Sequence, residues 1–200
     1  MKVLGWITAG LLVLALLGSV GYMVFVWDSY TAMNVQKQNV GKSMANIHVQ
    51  LQRRSDLIPN LVKVVKGYAS HEEKVFTQVT QARAQVGSLK IENPGSAEDV
   101  KKLAEAQQAL SGALSRLLVV AENYPELKAN QGFLDLQSQI EGTENRISVA
   151  RQRYNDDAAL MNTTVNGYFR RKVAQDYGFK EATLFESNPG SEKAPEVNFE

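Results

Sequence analysis

Residues 49–72 read VQLQRRSDLIPNLVKVVKGYASHE. Leu51, Ile58, Leu61 and Val65 recur at steps of three, four and seven, the period of a helix with one buried face, and the alternation by two that a strand requires is absent. On that face sits Arg54, beside Arg53, with Asp56 and Pro59 just after it. Pro59 removes the backbone donor that would serve the Ser55 carbonyl and crowds that turn. A bend is expected there, with Asp56 placed to accept from the backbone groups it frees. The stretch therefore reads as a helix that carries a polar layer and a kink.

Stepping outward by four and three from Val40 gives Met44, Ile47, Leu51, Arg54, Ile58, Leu61, Val65, Tyr68, Glu72, Val75, Val79, Ala82 and Val86, with only Arg54 and Glu72 breaking an apolar seam. One long helix from about Tyr30 to Ser88 is predicted. It ends before KIENPGS (90–96), where Asn93, Pro94, Gly95 and Ser96 make strong turn chemistry, and Ser96 with Asp99 resembles a capping box for the next helix. The second helix repeats the pattern at Val100, Leu103, Gln107, Leu110, Leu114, Leu117 and Ala121, and stops before Pro125. A third runs from about Asn130 to Phe169 on Phe133, Ile140, Ile147, Tyr154, Met161 and Tyr168. A short fourth starts near Arg171 and stops at Gly178. Phe179, Leu184 and Phe185 are then expected to fold back as an apolar clasp.

Toward the N-terminus no charged residue occurs from Val3 to Trp27. That exceeds the roughly 20 apolar residues needed to cross a bilayer, and the run is apolar all round rather than striped. The GSVG at 18–21 is a poor cleavage site, and the apolar run continues past it, so a retained span is expected. Trp6 and Trp27 stand about 31 Å apart at helical rise, close to the hydrocarbon thickness, and with Tyr30 they read as membrane-interface anchors. Basic residues are nearly balanced across the span. An uncleaved anchor commonly leaves its short N-terminal end in the cytoplasm, so the remaining domain is expected outside the cytoplasm.

Composition narrows the chemistry. The net charge of +1 gives no electrostatic reason to expect a nucleic-acid partner, and the absence of cysteine removes thiolate nucleophiles, disulfides and sulfur-ligated metals. His48 and His71 lie far apart on one predicted helix and read as surface or interface imidazoles. HEEKV at 71–75 has Val75 where a zinc-protease helix needs its second histidine. Asn155-Asp156-Asp157 lacks the spacing of a calcium loop and reads as a solvated or interhelical face. Asn162-Thr163-Thr164 matches a glycosylation acceptor by coincidence within a helix. A hydrolase built on Arg54, His48 and Asp56 would need contact between groups about 12 Å apart in helical rise. No catalytic residue, metal site or cofactor is expected.

The remaining polar seam residues are read structurally. Arg53, Arg54, Asp56 and Pro59 form the layer and kink, and an interface guanidinium needs a carboxylate partner. A buried bridge between Glu72 and Arg151, with Glu144 near the same level, is expected to set register.

The blocks LQRRSDLIPNLVKVVKGYASHE, ENRISVARQRYND and MNTTVNGYFRRKVAQDYGFKEATLFE closely resemble the LemA family, from the span through Glu186. The resemblance implies a small single-pass bacterial membrane protein with an antiparallel helical bundle and no accepted catalytic activity or cofactor. One departure is that Phe169 is followed by Arg170 where the family commonly has proline, so the third helix is expected to run on into the next segment.

The expected architecture is all-α. It comprises a transmembrane anchor at 1–29, a bundle of three long antiparallel helices plus a short C-terminal one at 30–186, and a disordered tail at 187–200. Because the first helix is about twice the length of the second, its lower half forms a stalk, and its stripe from Val40 to Leu51 is left uncovered. That predicts self-association. The expected role is a membrane-anchored, non-enzymatic scaffold or adaptor of the envelope, in contact with the lipid bilayer, with copies of itself and with other envelope proteins. The alternative is a signalling or protease-accessory subunit that holds one specific partner.

Overall fold

The computed structural model describes residues 2–186, with side chains from Trp6 onward. The predicted disordered tail at 187–200 lies outside the described residues. The chain forms α1 (Lys2–Tyr68), α2 (Glu73–Gly87), α3 (Ala97–Glu122), α4 (Pro125–Lys128), α5 (Gln131–Asn166) and α6 (Arg170–Asp176), with no strand among the described residues. The all-α expectation holds.

The predicted first helix does not run to Ser88. It is unbroken through Pro59, which lies exposed on its outer face, and ends nine residues later at Tyr68, before the turn Ala69–Glu72. Gly67, Ser70 and His71 are all weak helix formers, and the turn of four residues reverses the chain into α2. Buried Ala69 donates its N–H to the Val65 carbonyl at 2.9 Å and accepts from Glu72 at 3.3 Å, closing the turn with backbone bonds. The four-three pattern reads straight through this reversal because both sides of the turn face one core. Leu61 and Val65 on α1, and Phe76, Val79, Ala82 and Val86 on α2, are all buried.

Cross-helix contacts fix the directions. Gly95, just after α2, packs beside Val40. Ala97 and Val40 thus start at one level, and fourteen residues further along each helix Ser111 is hydrogen-bonded to Arg54, so α3 runs parallel to α1. Asn130 bonds the Tyr68 hydroxyl, Glu144 pairs with Arg54 and Arg170 pairs with Asp28. In each of these pairs the two residue numbers add to 198, the mark of an antiparallel pairing of α1 with α5–α6 that never slips. The bundle is therefore an up-down-up-down set of α1, α2, α3 and α5 rather than three long helices.

This arrangement removes the expected stalk. Val40, Met44, Ile47 and Leu51 are at most 1% exposed. They are covered by α5 and by the α2–α3 segment of the same chain. The stripe that was expected to drive self-association is thus satisfied within one copy.

Two shorter boundaries also differ from expectation. The third long helix, α5, stops at Asn166 rather than running on, because Gly167 adopts an extended backbone (φ −54°, ψ 133°). Tyr168 then leaves the seam and is 89% exposed. The Ser96 cap forms as predicted, its hydroxyl accepting the Asp99 N–H at 3.2 Å. Asp99 does not complete the box. Its buried carboxylate accepts the Glu92 and Asn93 N–H groups at 3.0 and 2.7 Å and so fastens the loop that precedes the helix.

That loop turns on Gly95, whose φ of +94° strains any other residue, and an added Cβ would lie 3.2 Å from both Val40 Cγ1 and Ala182 Cβ. Gly95→Ala is expected to destabilise the bundle by about 1–3 kcal/mol. Thermal unfolding of the full chain in detergent, read against the wild type, measures it.

Candidate functional site

α5 pairs along α1 and α2 pairs with α3, yet no Cα of α3 comes within 8 Å of one in α5. Side chains and a C-terminal segment line the space between them, a cleft of about 650 Å³. Val100, Ala104, Gln107 and Ser111 form one wall, Glu144 and Arg151 the other, and residues 183–186 close one side.

Gln107, Ser111 and Glu144 of this lining belong to the polar layer, whose centre, Arg54, lies behind them. Arg54 is 6% exposed and donates to Ser111 Oγ at 2.9 Å and to Glu144 Oε2, while Gln107 Nε2 reaches Glu144 Oε1 at 3.5 Å. Burial draws the Arg54 guanidinium down from its ordinary value and Glu144 opposes that shift. The Glu144 side chain is 41% exposed, so one partner of the pair still touches solvent. Arg54 Nε and Gln107 Oε1, one donor and one acceptor, are buried and without a hydrogen-bond partner. Unpaired buried polar atoms are costly.

The third wall is built by a device that sequence reasoning did not find. Residues 182–186 lie extended along α5, held by side-chain amides. Asn162 Oδ1 accepts the Ala182 N–H at 2.7 Å and Asn162 Nδ2 donates to the Ala182 carbonyl at 2.9 Å. Asn155 repeats this with Phe185, at 2.8 and 3.0 Å. Seven helical residues rise about 10.5 Å and three extended ones span about 10 Å, so two asparagines one heptad apart meet backbone positions three apart. Between them the Tyr154 hydroxyl donates to Thr183 O at 2.8 Å, and burial pushes that phenol above its ordinary range. At the end, Arg151 donates to Glu186 O at 2.8 Å and stacks over the Phe185 ring at 5.0 Å. On its other edge the segment donates from Thr183 N to Gly95 O at 2.8 Å. Phe179 and Phe185 fold inward as the expected clasp, and Leu184 points outward.

The sequence-predicted residues are only partly gathered. Arg54 and Glu144 meet. Arg53 is exposed on a shallow groove with Leu57 and Arg146, and Asp56 is exposed and accepts from Gln52 rather than from backbone. Glu72 and Arg151 do not pair. In the α1–α5 register Arg151 stands opposite Ile47, 21 helical residues or about 32 Å from the end of α1 at Tyr68, and Glu72 sits in the turn beyond. That expectation failed because it placed Glu72 within a continuous helix. Trp6 and Trp27 are exposed, and Tyr30 packs edge-on against Tyr177 and Phe179. The most apolar window of α1 is long enough to cross a membrane, and the rest of the chain covers none of it.

His48 and Asp56 remain about 12 Å apart in rise on an unbroken helix, and the Ser111 hydroxyl faces a guanidinium instead of a base. Among the described residues no three histidines or carboxylates converge on a metal position.

Residues 43–199, more than three quarters of the chain, match the LemA family. This chain belongs to the LemA family. The match begins at Ser43, so it leaves the apolar span outside and takes in the tail. The magnetosome protein MamQ of Magnetospirillum gryphiswaldense is 24% identical over 202 residues, covering 91% of this LemA-family chain and 74% of that protein. A magnetosome protein MamQ of Paramagnetospirillum magneticum is equally similar over 200 residues. Protein LemA of Metamycoplasma hominis is 23% identical over 167 residues, covering 84% of this chain and 73% of its own. The asparagine pair of the clasp lies in the blocks that carried the resemblance. Its signal was Asn155 and Asn162, each one residue after a seam aromatic or methionine, seven apart.

Proposed function

We propose that this chain is a membrane-anchored, non-enzymatic adaptor of the bacterial envelope. It sits in the inner membrane with its bundle outside the cytoplasm, and partners dock against its helices. The supporting observation is the α3–α5 cleft: a concavity of mixed polar and apolar lining, with Val100 and Ala104 beside Gln107, Ser111, Glu144 and Arg151, and the 183–186 segment along its side. A rigid four-helix body tethered at one end presents such a groove at a fixed distance from the lipid. Arg54 bonds both Ser111 and Glu144, across three helices. Two of the relatives are named for a cellular structure, the magnetosome, rather than for a reaction.

Self-association as a scaffold is the first form of this reading. The accessory-subunit form, with one specific partner, draws support from the coverage of Val40–Leu51 within a single chain, which leaves the cleft as the open surface. A photo-crosslinking residue at exposed Gln108, on the cleft rim, separates them in intact membranes. A ladder of self-products supports the scaffold, and a single dominant foreign product supports the accessory role. Absence of any product from Gln108, with crosslinking intact at a control position, overturns docking at the cleft. Protease added to spheroplasts is expected to cleave the 187–200 tail; full protection would reverse the orientation.

A further inference from the structure

The end of the bundle nearest the span carries a second feature that neither the core nor the cleft uses. Between α5 and α6 the chain reads Gly167-Tyr168-Phe169-Arg170-Arg171-Lys172. Tyr168 and Phe169 are 89% and 75% exposed, and their rings pack edge to face at 5.0 Å, so they stand out together from the surface. No core contact accounts for two such rings side by side in water.

Their height is fixed by neighbours on α1. The Arg170 guanidinium donates to Asp28 at 3.1 Å, and Asp28 directly follows the last residue of the uncharged run. The Lys172 ammonium bonds Asp176, one turn further along α6, at 2.5 Å. Phe25 and Val26 are partly covered by the bundle's lower end. The loop therefore flanks the final turns of the apolar helix, where tyrosine, tryptophan and basic side chains are favoured in membrane proteins. Arg171 is exposed and makes no ion pair among the described residues.

We propose that residues 167–172 form a second membrane contact, with Tyr168 and Phe169 entering the interfacial zone of the bilayer that α1 crosses and Arg171 and Lys172 facing anionic headgroups. The assignment to lipid rests on continuity with the span and on paired aromatic and basic chemistry, and it depends on the membrane-spanning reading of α1. Two attachment points on different helices restrict the tilt of the bundle more than α1 does alone. The clamp from Arg170 to Asp28 keeps the two points together.

The chain has only two tryptophans, which makes depth measurement direct. Three full-length chains each keep one fluorophore: native Trp27, Phe169→Trp or Leu134→Trp, the other tryptophans being replaced by phenylalanine. They are reconstituted into vesicles of phosphatidylcholine with phosphatidylglycerol, with or without acyl-chain-brominated lipid. Bromine is expected to quench Trp27 and the position-169 fluorophore at least twofold and to leave position 134, at the far end, unchanged. Quenching at Trp27 without quenching at 169 overturns the second contact alone. Loss of quenching at both overturns the span reading together with it. Arg171→Glu combined with Lys172→Glu is expected to cut quenching at 169 and spare Trp27; no change there overturns the headgroup contact. The vesicles hold no other protein, so a quenched position 169 identifies lipid as the occupant.

Discussion

Glu144→Leu is expected to cost the bundle about 2–3 kcal/mol, because it strands the Arg54 guanidinium in a site 6% exposed with only Ser111 as a partner. Losing one member of a fully buried pair costs about 3–5 kcal/mol, and the 41% exposure of the Glu144 side chain sets the lower figure. Arg54→Met together with Glu144→Leu is expected to recover most of that loss, since an apolar pair of similar volume removes both the charge and its need for a partner. Urea unfolding of the full chain in micelles, followed by helical circular dichroism, gives the double-mutant cycle. A Glu144→Leu loss below about 0.5 kcal/mol would put the pair in the class of screened surface bridges and refute its role as the fixed point of the bundle.

Asn155→Ala combined with Asn162→Ala removes four hydrogen bonds from the clasp. At roughly 1 kcal/mol per bond this is an expected loss of about 3–4 kcal/mol. The loss falls on one segment, and once that segment has detached the rest of the bundle no longer registers it. The measurable result is therefore local. Amide exchange at Ala182 and Phe185 is expected to rise by roughly a hundredfold or more, while amides in the middle of α1 and α5 keep their protection. Tyr154→Phe, which removes a single bond to Thr183, provides a graded comparison. Unaltered exchange at Ala182 and Phe185 in the double variant would show that packing of Phe179 and Phe185, rather than the amides, holds the segment.

How much of this was legible beforehand follows from what periodicity measures. A four-three pattern reports which side chains face a core. It returned the buried faces of α1, α3 and α5 nearly residue by residue, from Val40 to Val65, Val100 to Ala121 and Phe133 to Met161. It carries no information about direction, so the reversal at Ala69–Glu72 passed unseen and three helices were counted where the bundle has four. Pro59 drew the expectation of a kink because proline breaks ladders. The helix is continuous through that exposed position and ends instead where Gly67, Ser70 and His71 gather. Arg54 was recognisable as a polar seam residue in need of a carboxylate. Which carboxylate depended on register, and the missed turn misplaced Glu72. The clasp was expected from Phe179, Leu184 and Phe185, but its anchors were not, because Asn155 and Asn162 bond backbone groups, which leave no trace in residue identity.

The constant sum of 198 between partners on α1 and α5–α6 restricts how this rod can change in length. One residue inserted on α1 between Asp28 and Arg54 turns everything on one side of it by about 100° and shifts it by 1.5 Å, so the aspartate–arginine and arginine–glutamate pairs can no longer both close. Seven residues come close to two whole turns and restore the facing, provided the opposite strand of the hairpin gains seven as well. The height of the bundle above the lipid is thereby quantised, in steps of about 10 Å that both helices must take together.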